Sequence, residues 1–237
     1  MLNLKIIKAI TLDLDDTLWP VWPAIQRAEK ALGAFLNQHA PKTAALFADP
    51  SVRNDIRSHI MQTQPGISHD LSAVRLQTIR VALNRTNENA LLAEAGFEVF
   101  YAERNRVDLF HDAIVSLEFL SARFPVVALS NGNADIERIG LKPYFRANIN
   151  AQAFGLAKPD ARIFHAAASA VDVSAAQVLH VGDDASLDVL GALNAGMQTA
   201  WLNRDGDAWP HAESPHITVT SLTQLCDYLG AAEPHPA

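Results

Sequence analysis

The sequence contains a single cysteine, Cys226, so no disulfide can form within the chain. We therefore expect a protein of a reducing compartment, the cytoplasm. Basic residues are also scarce, because 19 lysines and arginines stand against 26 aspartates and glutamates, for a net charge of -7. This balance argues against a nucleic-acid partner, which usually meets a basic surface. The same balance does not exclude small anionic ligands, because a local site can be positive on an acidic protein.

Long apolar runs are missing as well, so we predict no membrane partner. The apolar stretch at residues 1–10 is interrupted by Lys5 and Lys8 and is too short and too charged for a signal peptide. Repeats and low-complexity segments are absent apart from a short tail, residues 231–237, that is predicted to be frayed. Hydrophobic residues make up 49% of the chain, which is enough to build a globular core.

The periodicity of apolar residues changes along the chain. Residues 5–13 are typical of a buried strand, whereas residues 19–105 show almost no strand pattern. That second part is predicted to form four helices, near residues 20–38, 50–63, 70–85 and 87–104. Asp49 before a proline and Asp70 are suited to be N-caps of two of these helices.

From about residue 107, helix and strand patterns alternate. The predicted order is helix 112–123, strand 125–129, helix 160–171, strand 178–181, helix 186–195 ending before Gly196, strand 198–202 and a last strand and helix. We therefore predict an α/β protein, a Rossmann-like and mostly parallel sheet with helices on both faces, interrupted by an all-helical cap domain. The predicted domains are a catalytic core of residues 1–18 and 106–237 and a cap of residues 19–105.

Acidic and polar side chains stand where three of the predicted strands end and in one later connection, residues 155–160. The segments are LDLDDTL at 12–18, LSNGN at 129–133, GLAKPD at 155–160 and HVGDDASLD at 180–188. Because ligands of open α/β sheets bind at the carboxyl ends of the strands, we expect these segments to meet.

Convergence of Asp13, Asp15 and Asp183 would require a cation. Two unit charges 4 Å apart repel by about 4 kcal/mol at an effective dielectric of 20. Oxygen ligands that leave room for water and phosphate favour Mg²⁺ over Ca²⁺ or zinc. Neither acidic segment has the glycine that an EF-hand loop requires.

The same residue types supply the parts of a two-step phosphate hydrolysis. One carboxylate can attack phosphorus to form an acyl phosphate, and a second carboxylate can protonate the leaving alcohol and then deprotonate water. Ser130 and the amides after it can hold phosphate oxygens, while Lys158 can neutralise charge on the nucleophile.

In order and spacing these segments resemble the four motifs of the haloacid dehalogenase superfamily. Residues 13–17 are similar to the first motif, Ser130 to the second, Lys158 to the third, and residues 182–188 to the fourth. The helical insert is similar to the family's C1-type cap.

The resemblance implies a role for each motif residue. Asp13 would be the nucleophile, Asp15 the acid and base, and Lys158 both a catalytic and a substrate-binding residue. Mg²⁺ would be held by the carboxylates of Asp13 and Asp183 and by the main-chain carbonyl of Asp15. The resemblance also implies substrate binding by Thr17, Ser130 and Asn131, and Thr17 would fix the loop around Asp15 as well. Asp184 and Asp188 would support the site from beyond the metal ligands, and Asp188 would orient Lys158.

The chain also resembles bacterial phosphatases that act on 5-amino-6-(5-phosphoribitylamino)uracil and on flavin mononucleotide. That likeness is carried by residues 12–18, 130–133, 179–184 and 196–201, and in the cap by His69, Asp70 and Arg75. It implies a Mg²⁺-dependent phosphomonoester hydrolase of riboflavin biosynthesis, acting as a monomer or homodimer on a small phosphorylated metabolite.

Several of these residues also have structural interpretations. Asp184 can cap a helix, Asp188 can be an exposed first-turn acid, and His180 is interpreted as a hydrogen-bonded core histidine. Trp19 and Trp22 can stack on a substrate ring or anchor the cap helix. His69 and Arg75 can contact substrate or lie on a solvated helix face.

Two rival functions follow from the same residues. A metal-independent 2-haloacid dehalogenase uses the same aspartate nucleophile, but such enzymes typically lack an acid at the position of Asp15. A phospho-accepting receiver module is not an enzyme, has its acids in a different chain order and lacks a cap of this size.

Overall fold

The computed structural model of the chain describes residues 1–231, and residues 232–237, most of the tail predicted to be frayed, lie outside the described residues. The chain divides into two compact units. The α/β unit comprises Met1–Pro20, Leu109–Gly132 and the chain from Ile136 onward, and the helical unit comprises Val21–Asp108 and Asn133–Asp135. Within residues 1–231, helices with the length and apolar character needed to cross a membrane are not found.

A parallel sheet forms the centre of the α/β unit. Its strands are β1 (Ala9–Leu12), β2 (Val126–Ser130), β3 (Ala147–Asn150), β4 (Val178–Gly182), β5 (Gln198–Leu202) and β6 (Ile217–Val219). All neighbours pair in parallel in the order β3-β2-β1-β4-β5-β6. Every residue of β1 is buried, and successive residues point to opposite faces, so both faces of the sheet are covered. The predicted Rossmann-like fold is confirmed.

The helical unit has a hydrophobic core of its own. Its helices are α1 (Val21–His39), α2 (Pro41–Phe47), α3 (Pro50–Thr63), α4 (Leu71–Arg85) and α5 (Leu92–Arg104). Buried side chains from each of them, including Leu32, Ile60 and Phe100, pack in one cluster. Asp49 accepts a hydrogen bond from the Ser51 amide and Asp70 accepts one from the Ala73 amide, so both predicted N-caps are confirmed.

Further helices flank the sheet of the α/β unit. They are α6 (Ala113–Ser121), α7 (Ile136–Ile139), α8 (Ala151–Phe154), α9 (Ala161–Ser169), α10 (Gly191–Asn194) and α11 (Leu222–Gly230). Short 3-10 helices occupy Leu4–Ile6, Pro65–Ile67, Lys142–Tyr144 and Ala175–Gln177. A π-helix, Ala185–Leu190, runs directly into α10, where one regular helix was predicted. Gly196 follows α10 with a positive φ of 79°, as predicted for the residue after a helix.

Other local predictions also differ from the structure. The strand predicted at residues 5–13 is only β1, because the Asn3 side chain accepts a hydrogen bond from the Lys5 amide and holds the preceding segment in a 3-10 helix. Helix α2 was not predicted as a separate helix. Strand β3 was missed, since its sequence ANIN has weak strand propensity and its pairing with β2 at the sheet edge determines its conformation.

Candidate active site

The four predicted segments converge within the α/β unit. Asp13 follows β1 and Asp183 follows β4, and these two strands are neighbours in the sheet. The Lys158 ammonium donates to Asp13 Oδ1 and to Asp188 Oδ1, each at 2.5 Å. Carboxylate oxygens of Asp13, Asp183 and Asp188 all lie within 4.8 Å of one another. The arrangement is a cluster of three acids around one buried lysine.

Lys158 is held in place from its backbone as well as from its side chain. Asn131 Oδ1 accepts the Lys158 amide at 2.7 Å, and Asn131 Nδ2 donates to the Lys158 carbonyl at 2.9 Å. These two bonds give Asn131 a positioning contact, and its implied part in substrate binding stays a prediction. Ser130 Oγ accepts the Gly132 amide at 2.9 Å, which leaves the hydroxyl proton of Ser130 available as a donor.

Asp188 lies in a buried chain of hydrogen bonds behind the lysine. His180 Nε2 is 3.1 Å from Asp188 Oδ1, and His180 Nδ1 is 2.8 Å from Thr11 Oγ1. Only 2% of Asp188 is exposed, so the interpretation as an exposed first-turn acid is wrong. His180 is buried and hydrogen-bonded, as its interpretation as a core histidine predicted, and burial lowers the pKa of its imidazole.

Gly182 at the end of β4 makes room for the Asp188 carboxyl. A Cβ atom at position 182 would overlap with the Asp188 side chain. Gly182→Ala is therefore expected to displace Asp188 from Lys158 and to lower the free energy of unfolding by about 1–3 kcal/mol, measured by urea denaturation. Gly66→Ala, where a Cβ meets open space, is the control. Equal unfolding midpoints for the two variants would contradict the expected overlap between the added Cβ atom and the Asp188 side chain.

Burial and the neighbouring charges shift the pKa values of the three grouped acids. Burial raises the pKa of Asp13 well above its usual range, although Lys158 opposes this shift. Burial and then the charge of Asp188 raise the pKa of Asp183 to about 7. Burial acts in the same direction on Asp188, but Lys158 and His180 outweigh it and hold the pKa of Asp188 well below its usual range. Lys158 contacts Asp13 and Asp188 at the same distance, so one lysine faces three grouped acids and positive charge is in deficit there.

The donor set of the cluster fits a hard divalent cation. The group contains only carboxylates, which are ligands that suit Mg²⁺. Asp188 Oδ1 is occupied by Lys158 and His180, and Asp188 Oδ2 accepts the Asp184 amide at 3.1 Å. Asp13 and Asp183 are thus the two grouped acids suited to direct contact with an ion.

The loop after Asp13 is ordered by its own side chains. Trp19 Nε1 donates to Asp15 Oδ1 at 2.9 Å, and Thr17 Oγ1 donates to Asp183 Oδ1 at 3.0 Å. Trp19 is fully buried, so the interpretation that it stacks on a ligand ring is wrong. Thr17 is also fully buried, and its contact joins the loop of Asp15 to Asp183.

Asp184, His69 and Arg75 have structural surroundings that test their interpretations. Asp184 Oδ1 accepts the amides of Ser186 and Leu187 at 2.8 Å each, which caps the π-helix as its structural interpretation predicted. In the helical unit, Arg75 pairs with Glu29 at 2.6 Å and its side chain is only 23% exposed, so a solvated helix face is the wrong description of Arg75. His69 is partly buried in the turn before α4.

Asp112 and Arg204 form a clamp that sequence analysis missed. The Arg204 guanidinium donates to both carboxylate oxygens of Asp112, at 3.0 and 3.1 Å, and to the Thr17 carbonyl at 3.1 Å. Asp112 also accepts the Leu222 amide at 2.7 Å. Burial opposes the shift, but the bonds from Arg204 and Leu222 lower the pKa of Asp112. The partners are 92 residues apart and belong to no motif, so the sequence carries no signal for this clamp.

Comparison with known proteins assigns a family. The family model described as haloacid dehalogenase-like hydrolase matches residues 7–196. The chain is 33% identical over 231 residues to the 5-amino-6-(5-phospho-D-ribitylamino)uracil phosphatase of Escherichia coli, covering 94% of this chain and 96% of that one. It is 27% identical over 244 residues to the phosphoserine phosphatase of Thermus thermophilus, covering 92% and 98%.

A solved structure described as a 2-haloacid dehalogenase, from Pseudomonas syringae pv. tomato, is also similar. It aligns with a TM-score of 0.91 and 36% identity, covering 96% of this chain and 100% of that one. Proteins named as phosphatases and one named as a dehalogenase therefore resemble this chain along nearly its whole length.

Proposed function

The chain belongs to the haloacid dehalogenase-like hydrolases, and from that premise we propose that it is a phosphatase acting on small phosphorylated metabolites through a phosphoaspartate at Asp13. The observation that supports this most is the buried contact of Lys158 with Asp13, with the Asp183 carboxylate in the same cluster. An acid next to a fixed cation suits attack on an anionic phosphorus centre.

The reaction has two displacements at phosphorus. In the first, an Asp13 oxygen forms a bond to phosphorus while the ester oxygen leaves and takes a proton from Asp15, giving a phosphoaspartate and an alcohol. In the second, water gives a proton to Asp15 and attacks the same phosphorus, which releases Asp13 and inorganic phosphate. Lys158 neutralises charge on Asp13 in both steps, and the Ser130 hydroxyl donates to a phosphate oxygen.

Asp13 and Asp183 are the side chains that would hold Mg²⁺, with the main-chain carbonyl of Asp15 as a third oxygen. Bound there, the ion would supply the charge that offsets repulsion between the Asp13 carboxylate and the phosphate. Thr17 orients Asp183 by the hydrogen bond to its Oδ1. The Arg204 bond to the Thr17 carbonyl holds the same loop from its other side.

Phosphate release from para-nitrophenyl phosphate, measured with Mg²⁺ and with a chelator, tests the proposed activity. We expect turnover only with the divalent ion. A matched experiment with Asp15→Asn should slow hydrolysis of an alkyl phosphate, whose leaving group needs a proton, more than hydrolysis of the para-nitrophenyl ester. An active chelated enzyme, or equal slowing of both esters, would contradict the assigned roles.

Stabilisation by Mg²⁺ should depend on pH. Protons and the ion compete for Asp183, whose raised pKa of about 7 favours the protonated carboxyl in the metal-free fold at lower pH. A carboxyl group with a raised pKa makes the metal-free fold lose stability as the pH rises through that pKa. The gain in melting temperature on adding Mg²⁺ should therefore grow from about pH 5.5 to about pH 8. The lowered pKa of His180 acts with the opposite sign, but it affects the protein with and without the ion alike.

Differential scanning calorimetry at fixed excess Mg²⁺ measures this dependence. Asp183→Asn should remove most of the metal-induced gain at every pH, while Asp205→Asn, at an exposed acid of the same unit, should keep it. A gain that does not vary with pH, or that survives Asp183→Asn, would count against Asp183 as a ligand.

Hydrolytic dehalogenation is the second candidate, and the structural likeness to a protein described as a 2-haloacid dehalogenase favours it. A halide leaving group needs no proton, so Asp15 would have no task in that reaction. Chloride release from chloroacetate in the presence of chelator would establish this activity. No chloride release, together with Mg²⁺-dependent phosphate release, would exclude dehalogenation.

For the substrate we propose 5-amino-6-(5-phosphoribitylamino)uracil or flavin mononucleotide, supported by the relative from Escherichia coli that is named for the first of these compounds. A screen for phosphate release should include both, with pyridoxal phosphate and phosphoglycolate as phosphorylated compounds of other shape. We expect the highest kcat/KM for one of the first two. A preference of more than about tenfold for either of the others would overturn this substrate assignment.

A further inference from the structure

The helical unit contains a cavity of about 610 Å³, formed by residues of that unit alone. This volume lies within the range of about 300–1,000 Å³ that is usual for small-molecule sites. The apolar part of its lining comes from α1, α4 and α5, and the polar part is dominated by arginine. The residues that matter here are Trp22, Glu29, Arg53, Arg57, Arg75 and Phe100.

The charged side chains of the lining are unbalanced. Three arginines, Arg53, Arg57 and Arg75, face one acid, Glu29, so the lining has a net charge of +2 in a chain whose net charge is -7. Glu29 is bound by Arg75 at 2.6 Å. Among residues 1–231, Arg57 has no carboxylate as an ion-pair partner. A local excess of positive charge is the feature that attracts small anions.

Two of the three guanidinium groups are fixed in advance. Arg75 is held by Glu29 and lies over the Phe100 ring, with 4.3 Å between the guanidinium carbon and the ring centroid. Arg53 donates to the Phe47 carbonyl at the end of α2. Burial lowers the pKa of Arg75, and the charges of Arg57 and Arg53 lower it further against the opposing effect of Glu29. An anion between these groups would relieve that repulsion.

The cavity also has an aromatic surface available to a ligand. Trp22 is 69% exposed at the start of α1, although a large apolar side chain gains most from being covered. Gln26 and Asn54 lie in the same lining and can bond to polar atoms of a ring.

We propose that this cavity is a binding site for a small organic anion that carries a planar ring, with Arg57 and Arg53 contacting the anionic group and Trp22 contacting the ring. The site needs no chemistry at Asp13 and goes beyond the proposed hydrolysis. Its ligand is a separate regulatory molecule, because the ring and ribityl chain of the proposed substrates are neutral and their phosphate would be bound at Asp13.

Calorimetric titration of the full-length Asp13→Asn variant with naphthalene-2-sulfonate tests the site without turnover, since this ring-bearing anion is not a phosphate ester. We expect saturable binding that Arg57→Gln or Trp22→Ala weakens by about tenfold or more. Arg85→Gln is the matched control, because Arg85 is an exposed arginine of α4 outside the cavity lining, and it should leave binding unchanged. Inorganic sulfate, which lacks the ring, should bind more weakly than the probe.

Equal affinity of the Arg57→Gln and Arg85→Gln proteins for the probe would overturn the proposal, as would sulfate binding as tightly as the sulfonate. A second measurement uses the active enzyme. The probe should change turnover of para-nitrophenyl phosphate in the parent enzyme and have no effect on turnover by Arg57→Gln. An equal effect of the probe on both proteins would contradict the proposed site. Because binding is measured without turnover, failure of the phosphatase assignment would not alter this result.

Discussion

Replacing Asp13 with asparagine is expected to lower kcat for para-nitrophenyl phosphate by about four orders of magnitude or more, since loss of a nucleophile removes the covalent route. An amide does not form the acyl phosphate, and the neighbouring acids do not replace Asp13. Asp188 is held by Lys158 and His180, and Asp183 by Thr17. Steady-state kinetics with saturating Mg²⁺, combined with acid-quench detection of phosphorylated protein, measures both turnover and intermediate.

The Asp13→Asn protein should remain folded, which separates lost chemistry from lost structure. Burial disfavours the charged form of Asp13, so a neutral amide of the same shape suits the position. The exposed-acid variant Asp205→Asn is the control for the chemical change and should keep its activity. Turnover within about tenfold of the parent enzyme, or phosphate still bound to the Asp13→Asn chain, would show that another residue is the nucleophile.

Lys158→Met is expected to cost both activity and stability. It removes the shared partner of Asp13 and Asp188 and leaves buried carboxylates without their cation. Breaking such a buried pair from one side costs about 3–5 kcal/mol, and the loss of transition-state charge neutralisation lowers kcat by about 10²–10³. Urea unfolding near pH 8 and steady-state kinetics measure the two losses.

The stability loss should depend on pH and on Asp188. Without the lysine, the buried carboxyls have raised pKa values, so the variant binds protons more readily when folded and loses stability as pH rises. The deficit should therefore be smaller near pH 5 than near pH 8. Adding Asp188→Asn to Lys158→Met should restore part of it, because removing both partners of a buried pair costs less than removing one.

Lys142→Met is the matched control for this substitution. Lys142 pairs with Glu137 on the surface, where both side chains are more than half exposed, and such pairs contribute about 0–1 kcal/mol. An equal loss of stability in the Lys142 and Lys158 variants would show that burial of the lysine is not what makes it important.

The parts of the fold that the sequence predicted are those encoded by strong local signals. The α3 helix lies at the predicted residues because Asp49 caps it, a proline fills its first turn and its apolar residues recur at helical spacing. The meeting of Asp13 with Asp183 followed from a topological rule, since residues after parallel strands share one edge of the sheet.

The remaining features depend on contacts between distant segments. The Asp112–Arg204 clamp and the bond from His180 to Asp188 leave no spacing pattern in the chain. The bond from Trp19 to Asp15 is local, but the sequence analysis predicted neither this bond nor the left-handed conformation of Asp16, whose φ is 57°. The arginines of the cavity come from α3 and α4, and no sequence period links the two helices.

The central position of β1 has a consequence for the order in which a newly made chain can become an enzyme. Ile10 pairs with Val126 on one side and with Leu179 on the other. The strand before Asp13, the proposed nucleophile, can therefore pair only after residues more than a hundred positions later have been made. Helices α1–α5 emerge from the ribosome during that interval and can pack around their own apolar cluster. Pairing over such separations is intrinsically slow. A ribosome-bound fragment that stops before β4 would lack both that strand and Asp183.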